Sequence, residues 1–196
     1  MESDWSAECG NEDPWVVVPW EGVTASDPSL RFFDLRAEPD RVGEIPDAAR
    51  YPALAEALQA WNTPAVFTAK CDVWHYAASA FDAFDLPGLA CAHASYVDLL
   101  PGASAGFESF ARAESLVRRG AERAAVLPAP EARSEWIVRR ARISSAGTLP
   151  HGDGFAVTLY VWGYGESESA AVSAWGHALR TLILPVRELF EGRLPA

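Results

Sequence analysis

Strict alternation of hydrophobic and polar residues predicts strands in four segments of the chain. Successive side chains on a strand point to opposite faces, so each segment has one apolar and one polar face. The four segments are residues 65–76, 93–100, 135–144 and 154–165. The last two are expected to form a hairpin, with Asp153-Gly154 as its turn signal.

Two further short apolar segments are also predicted to be strands. Residues 15–20 read Trp-Val-Val-Val-Pro-Trp, and the proline favours an edge position because it cannot donate a backbone hydrogen bond. Residues 30–37 form the second of these strands, which Pro39 and its neighbours would end.

Apolar residues spaced three and four positions apart predict three helices. The first covers residues 51–62, where Leu54, Leu58 and Trp61 share one side and Pro52 suits the first turn. The second covers residues 107–126 and the third residues 167–190.

The resulting order of elements is β-β-α-β-β-α-β-β-α, which predicts an α+β fold. Two-faced strands favour antiparallel pairing, and three amphipathic helices have to cover one face of the sheet. We therefore expect a mostly antiparallel sheet of five or six strands with about three helices packed on one face. The domain division is a loose acidic N-terminal segment, residues 1–14, followed by a single α+β domain, residues 15–196.

The charge of the chain indicates which partners it attracts. The formal net charge is −11 over 196 residues, with a single lysine, Lys70. Such a chain repels nucleic acid and anionic lipid and attracts basic surfaces. The expected partner is another protein with a basic surface, and neither nucleic acid nor a membrane is expected.

The cysteine content and the N-terminal sequence favour a cytoplasmic protein. Cys9, Cys71 and Cys91 cannot all pair with one another, which is typical of free thiols in a reducing compartment. Residues 1–14 lack the basic and apolar regions of a secretion signal. No apolar run approaches the roughly 20 residues that a membrane-spanning helix needs.

The polar faces of the predicted strands together form the candidate binding site. This second face of the sheet, left without helices, would present tyrosine, tryptophan and arginine side chains, which are enriched at protein interfaces. A solvated sheet face with cross-strand pairs is the structural alternative. The candidate binding residues are Lys70, Asp72, Trp74, Tyr96, Asp98, Arg140, Arg142, Tyr160 and Trp162.

The potentially reactive side chains near Lys70 are not expected to form a catalytic or metal site. Cys71 falls on the apolar side of its strand, and His75 lies about 13 Å further along it. Cys91 and His93 lie close to each other, but no second pair of ligands accompanies them. No metal and no cofactor are expected.

One motif suggests a serine hydrolase. Residues 102–106 read Gly-Ala-Ser-Ala-Gly after a predicted strand and before a predicted helix, as in a nucleophile elbow. Ser104, Asp153 and His177 would follow the expected chain order of a catalytic triad. Against this, Pro101 lies at the turn and His177 lies within a helix, so the simpler interpretation is a loop that enters a helix.

The interpretation favoured by these patterns is a non-catalytic cytosolic protein-binding protein. Its acidic and aromatic surface is what an immunity-type protein that neutralises a basic toxin would need. The alternatives are a small serine hydrolase-like enzyme using Ser104, and a regulatory subunit of an enzyme complex.

Overall fold

The computed structural model describes residues 1–20, 31–77, 90–103, 107–144 and 151–193. These residues form six strands: β1 Glu2–Glu8, β2 Val16–Val18, β3 Val66–Ala77, β4 Cys91–Pro101, β5 Ala132–Ile143 and β6 Gly152–Gly165. They also form a 3₁₀ helix, Pro39–Glu44, and four α-helices: α1 Pro46–Arg50, α2 Pro52–Trp61, α3 Phe110–Ala125 and α4 Glu168–Glu191.

All six strands belong to one sheet with the order β1-β5-β6-β4-β3, and β2 continues the edge occupied by β1. The pairs β3–β4, β4–β6 and β5–β6 are antiparallel, whereas β1 and β2 both run parallel to β5. The α+β class is therefore confirmed, with a mixed sheet that is mostly antiparallel. The parallel edge was not anticipated from the sequence.

The N-terminal segment is ordered where a loose segment was predicted. Glu2–Glu8 forms β1, and its acids meet arginines on β5: Glu8 pairs with Arg139 at 2.7 Å and Asp4 with Arg133 at 3.7 Å. The terminal amino group of Met1 also donates to the carbonyl oxygen of Leu127 at 2.7 Å. The acidity that suggested a solvated tail is compensated by the neighbouring strand.

Two local predictions were wrong. The predicted strand at residues 30–37 is not a named strand in its described part, where residues 35–37 form a turn. The carboxylate of Asp34 accepts from the guanidinium of Arg36, and its backbone carbonyl oxygen accepts from the amide of Ala37. Phe33 and Leu35 are nevertheless buried. The predicted turn at Asp153-Gly154 lies inside β6, since pairing with β5 continues to Ile143 and Gly152.

Helices α2, α3 and α4 pack on one face of the sheet and form the main core. The sheet contributes alternate residues to this core, and the helices contribute their apolar sides. The largest fully buried side chains of this core include Trp61 on α2, Trp136 on β5 and Trp175 on α4. We call this side of the sheet the helix-covered face.

Two glycines allow the helices to approach the sheet. A Cβ at Gly120 of α3 would lie 2.6 Å from the ring of Trp136. A Cβ at Gly163 of β6 would overlap the backbone of Trp175 and lie 2.5 Å from the carbonyl oxygen of Ala171. Close packing of this kind fixes where α3 and α4 lie against the sheet.

Serine side chains cap the two long helices. Ser109 accepts from the amide of Arg112 at the start of α3, and Ser167 accepts from the amide of Ala170 at the start of α4. The structure thus starts α3 three residues later than the apolar pattern predicted. Within the described ranges, no helix combines the length and the apolarity needed to span a membrane.

Candidate functional site

The second face of the sheet, which we call the open face, carries the polar and aromatic residues of β3, β4 and β6. Backbone pairing aligns Asp72, Tyr96 and Tyr160 in one row across the three strands. The next row aligns Trp74, Ala94 and Trp162. Paired residues share a face of the sheet, so these side chains lie side by side. Helices α2, α3 and α4 pack on the other face of the sheet, whereas α1 reaches the margin of this face through Asp47.

Five rings on the open face form a continuous aromatic strip: Trp74, Tyr76, Tyr96, Tyr160 and Trp162. Trp74 contacts three of the other rings, with centroid separations of 6.0–6.4 Å. Tyr96 lies 5.7 Å from Tyr160, and Tyr160 stacks on Trp162 at 5.5 Å. All five rings are half-buried. The strip is therefore a packed platform that still exposes part of each ring.

A bulge in β3 places Lys70 beside this strip. The pairing of β3 with β4 shifts register between Thr68 and Cys71, so Ala69 and Lys70 together oppose Asp98. Lys70 is exposed, and its ammonium lies 5.5 Å from the ring centroid of Trp20. The indole Nε1 of Trp20 donates to the carbonyl oxygen of Ala69 at 2.7 Å. The bulge thus anchors the segment that follows β2.

Asp98 is a buried carboxyl at the centre of the open face. It is 6% exposed, and the hydroxyl of Thr158 donates to its Oδ1 at 2.6 Å. Within the described ranges, no hydrogen-bond donor reaches Oδ2. Burial disfavours the charged form and raises the pKa of Asp98 to about 6, although the Thr158 hydrogen bond, Arg139 and Lys70 act in the opposite direction.

A cleft of about 610 Å³ opens directly over Asp98, between the strip and the chain around β2. Its size falls in the range typical of ligand-binding clefts. Its walls combine aromatic rings with three carboxylates and two cations. The aromatic and charged lining residues are Trp15, Trp20, Asp47, Lys70, Asp72, Tyr96, Asp98, Arg139 and Tyr160.

Tyr96 and Cys71, which both line the cleft, favour their neutral forms. Burial raises the pKa of the Tyr96 phenol well above its usual range, and nearby carboxylates act in the same direction. Burial also raises the pKa of the Cys71 thiol to about 12. Cys71 pairs with Val97 on the helix-covered side, so its thiol is a poor nucleophile.

An acidic rim borders the open face along β1. The register of β1 against β5 puts Glu2, Asp4 and Glu8 on the open face, where Arg133 and Arg139 also lie. Arg133 stacks over Trp162 at 5.7 Å and Arg139 over Tyr160 at 6.0 Å. The two arginines therefore connect the acidic rim with the aromatic strip.

The structure places Arg140 and Arg142 on the opposite side from the other candidate residues. On β5 they point to the same side of the sheet as Trp136 and Val138 of the core. They lie beyond the end of that side that the helices cover. Both stack on Trp15, at 5.5 and 5.0 Å, and Arg142 forms an ion pair with Asp153 at 2.6 Å. Their assignment to the open face was wrong. Apolar Trp136 and polar Arg140 point to the same side of β5, so the polarity of Arg140 did not indicate which side it faces.

The structure does not assemble the predicted catalytic triad. Ser104 lies outside the described residues. Asp153 is paired with Arg142 at one end of β6, whereas His177 lies on α4 and contacts the carbonyl oxygen of Pro128 at 3.0 Å. α4 passes over the other end of β6 at Gly163, about 30 Å along the strand from Asp153. Asp153 and His177 therefore cannot form a triad pair.

No metal centre is evident in the part of the chain that the structure describes, since no three His, Cys, Asp or Glu side chains converge there. His93 is buried between Tyr51 and Trp175, with ring centroids 4.9 and 4.7 Å away. Burial lowers the pKa of His93 to about 4. It is a neutral core residue, and Cys91 is half-buried at the start of β4.

Several residues of the site were missed by sequence reasoning. Thr158, which donates to Asp98, and Arg139 were both assigned no role. The alternation along β5 could have identified Arg139. Ile137, Arg139 and Ala141 point to the side of the strand opposite Trp136 and Val138. The contribution of Asp47 and Trp20 had no local signal, since it depends on how distant segments meet.

Comparison of the chain with models of known protein families, with curated proteins and with solved structures found no match.

Proposed function

We propose that the protein is a non-catalytic binding protein whose open face docks on a partner protein with a basic surface. The observation that carries the proposal is the aromatic strip, half-buried and bordered by carboxylates. Partly exposed tyrosine and tryptophan clusters are the residue types that dominate interface energetics. A continuous strip over three strands suits an extended protein surface better than a single metabolite.

The sign of the charge supports a basic partner. Acidic residues on or beside the open face include Glu2, Asp4, Glu8, Asp72, Asp98 and Glu135. Among the described residues, they outnumber the cations of this face, which are Lys70, Arg133 and Arg139. Complementary charge accelerates association and excludes acidic competitors. An immunity-type protein that masks a basic toxin is the specific form of this proposal.

A capture experiment with matched variants tests the proposal. Wild-type bait is compared with Trp74→Ala/Tyr160→Ala on the open face and with Val126→Ser/Leu184→Ser, which removes exposed apolar residues elsewhere. The proposal predicts that wild type and the control variant both capture a basic protein at low salt. The open-face variant should bind that protein at least about tenfold more weakly. Equal capture by both variants would contradict it. Circular dichroism establishes that each bait is folded.

A further inference from the structure

The geometry points to the cleft over Asp98 as a receptor for a guanidinium group: an arginine side chain of the partner stacks on Tyr96 and pairs with the Asp98 carboxylate. The assignment of the arginine to a partner protein rests on the proposed function. The chemistry of the cleft does not depend on it.

The first argument is the position of the unsatisfied oxygen. Asp98 is buried and lines the cleft, and Thr158 occupies Oδ1 only. Among the described residues, no donor satisfies Oδ2. A buried carboxylate with a vacant acceptor is costly unless a cationic donor reaches it. A ligand that supplies N–H groups would remove that cost.

The second argument is the aromatic wall beside this carboxyl. Tyr96 and Asp98 are two residues apart on β4 and share a face, which separates their Cα atoms by about 7 Å. Cations of the chain already lie over Trp15, Trp20 and Tyr160. Within the described residues, the Tyr96 ring packs against Tyr160 and Trp74, at 5.7 and 6.1 Å, and no cation lies over it. It is the aromatic wall that has no cation of its own.

The third argument concerns the cations already in the cleft. Arg139 is engaged by Glu8 at 2.7 Å, and Lys70 is exposed and directed over Trp20. Asp47 and Asp72 add two further carboxylates to the lining. The cleft is therefore acidic even with Arg139 and Lys70 present, and a further cation is attracted rather than repelled.

Arginine fits this site better than lysine. A guanidinium is planar and stacks on a ring while its N–H groups form a fork that matches a carboxylate. The open face uses this pairing twice, in Arg133 over Trp162 and Arg139 over Tyr160. Lysine offers only a point charge with no stacking surface.

The test uses small probes on the intact protein, so it does not need the partner. N-acetyl-arginine amide, N-acetyl-citrulline amide and N-acetyl-lysine amide are titrated against wild type, and aromatic resonances are followed by NMR. The arginine probe is expected to shift Tyr96, and to bind about tenfold more tightly than the neutral citrulline probe because charge-assisted hydrogen bonds are the stronger ones. The lysine probe should be weaker than the arginine probe.

Matched variants locate the binding. Asp98→Asn should weaken the arginine probe about tenfold, and Tyr96→Leu, which keeps the carboxyl, should also weaken it. Glu122→Gln removes the same charge from the exposed side of α3 and should change nothing. Equal affinity for arginine and citrulline probes, equal or tighter binding of lysine, or equal loss in Asp98→Asn and Glu122→Gln would each overturn the inference. If the partner is captured through the open face but the arginine probe does not bind, only this inference falls.

Discussion

Thr158 donates its hydroxyl hydrogen to Oδ1 of Asp98 at 2.6 Å, and both residues are buried in the centre of the open face. The hydrogen bond holds the carboxyl in place without neutralising it. Burying this carboxyl with one hydrogen bond from Thr158 destabilises the folded state when the carboxyl is ionised. Under the proposed guanidinium binding, the carboxyl that receives the partner is also one that lowers the stability of the free protein.

Replacing the carboxyl by an amide should stabilise the protein at neutral and alkaline pH. Burial raises the pKa of Asp98 in the folded protein to about 6, above the ordinary value of 3.8, so its ionisation costs stability above pH about 6. That cost fades as the pH falls toward 3.8. We expect Asp98→Asn to gain about 1–3 kcal/mol at about pH 8 and nothing near pH 4, by urea unfolding. A loss of stability at about pH 8 would contradict this account of the site.

His93 should show the opposite pH dependence. Burial lowers the pKa of His93 in the folded protein to about 4, below the ordinary value of 6.5, so the unfolded state takes up the proton first as the pH falls. Stability from His93 is present above pH about 6.5 and is lost as the pH falls toward 4, by up to about 3 kcal/mol. His93→Phe should remove this loss while keeping the ring contacts to Tyr51 and Trp175.

The difference between the two variants is the sharpest readout, because Asp98 and His93 act in overlapping pH ranges with opposite sign. Between pH about 7 and pH about 4.5, unfolding free energy should fall more steeply than wild type in Asp98→Asn and less steeply in His93→Phe. Parallel curves for all three proteins would show that neither group is buried as described.

Adding a methyl group at Gly163 should displace α4 from the sheet. The new Cβ would overlap backbone atoms of Trp175, which cannot rotate away as a side chain could. Gly163→Ala is expected to cost about 2–4 kcal/mol in thermal or urea unfolding. Gly43→Ala is the control, since nothing lies within 4 Å of its Cβ, and its effect should stay within about 0.5 kcal/mol. Similar costs at the two positions would argue against the described packing.

The acidic rim should govern the rate of partner association. Glu2 and Asp4 are exposed on the open-face side of β1. Neutralising them as Glu2→Gln/Asp4→Asn should slow association with little change in dissociation, and the effect should disappear at high salt. Surface plasmon resonance compares this variant with Glu122→Gln/Glu168→Gln, which removes the same charge from the helices. Equal slowing by both would indicate a non-specific charge effect.

Alternation along β4 and β6 was enough to predict which residues face the helices and which face away. Val97 and Leu99 are in the core, and Tyr96 and Asp98 lie on the open face. β5 was harder to interpret because Trp136, Arg140 and Arg142 all point to the same side of the strand. Trp136 lies under α3. Arg140 and Arg142 lie beyond the helices, where Arg140 stacks on Trp15 and Arg142 pairs with Asp153. Sequence alternation does not show where a covering helix ends.

Contacts between distant segments account for the remaining differences. The sequence of β1 is typical of an acidic tail. Its acids are paired with Arg133 and Arg139, which lie more than 120 residues later in the chain. The cleft depends on Trp20 reaching the bulge at Ala69 and on Asp47 lying near Asp72. Neither contact has a local sequence pattern, because both depend on how non-adjacent elements pack.

Hydroxyl-radical footprinting of the protein, free and bound to its captured partner, tests the central claim most directly. Oxidation of Trp74, Tyr160 and Trp162 on the open face is expected to fall in the complex. Trp5, which lies under Arg118 on the helix-covered side, should be oxidised equally in both states. Protection of Trp5 with unchanged oxidation of the aromatic strip would contradict the claim that the open face is the binding surface.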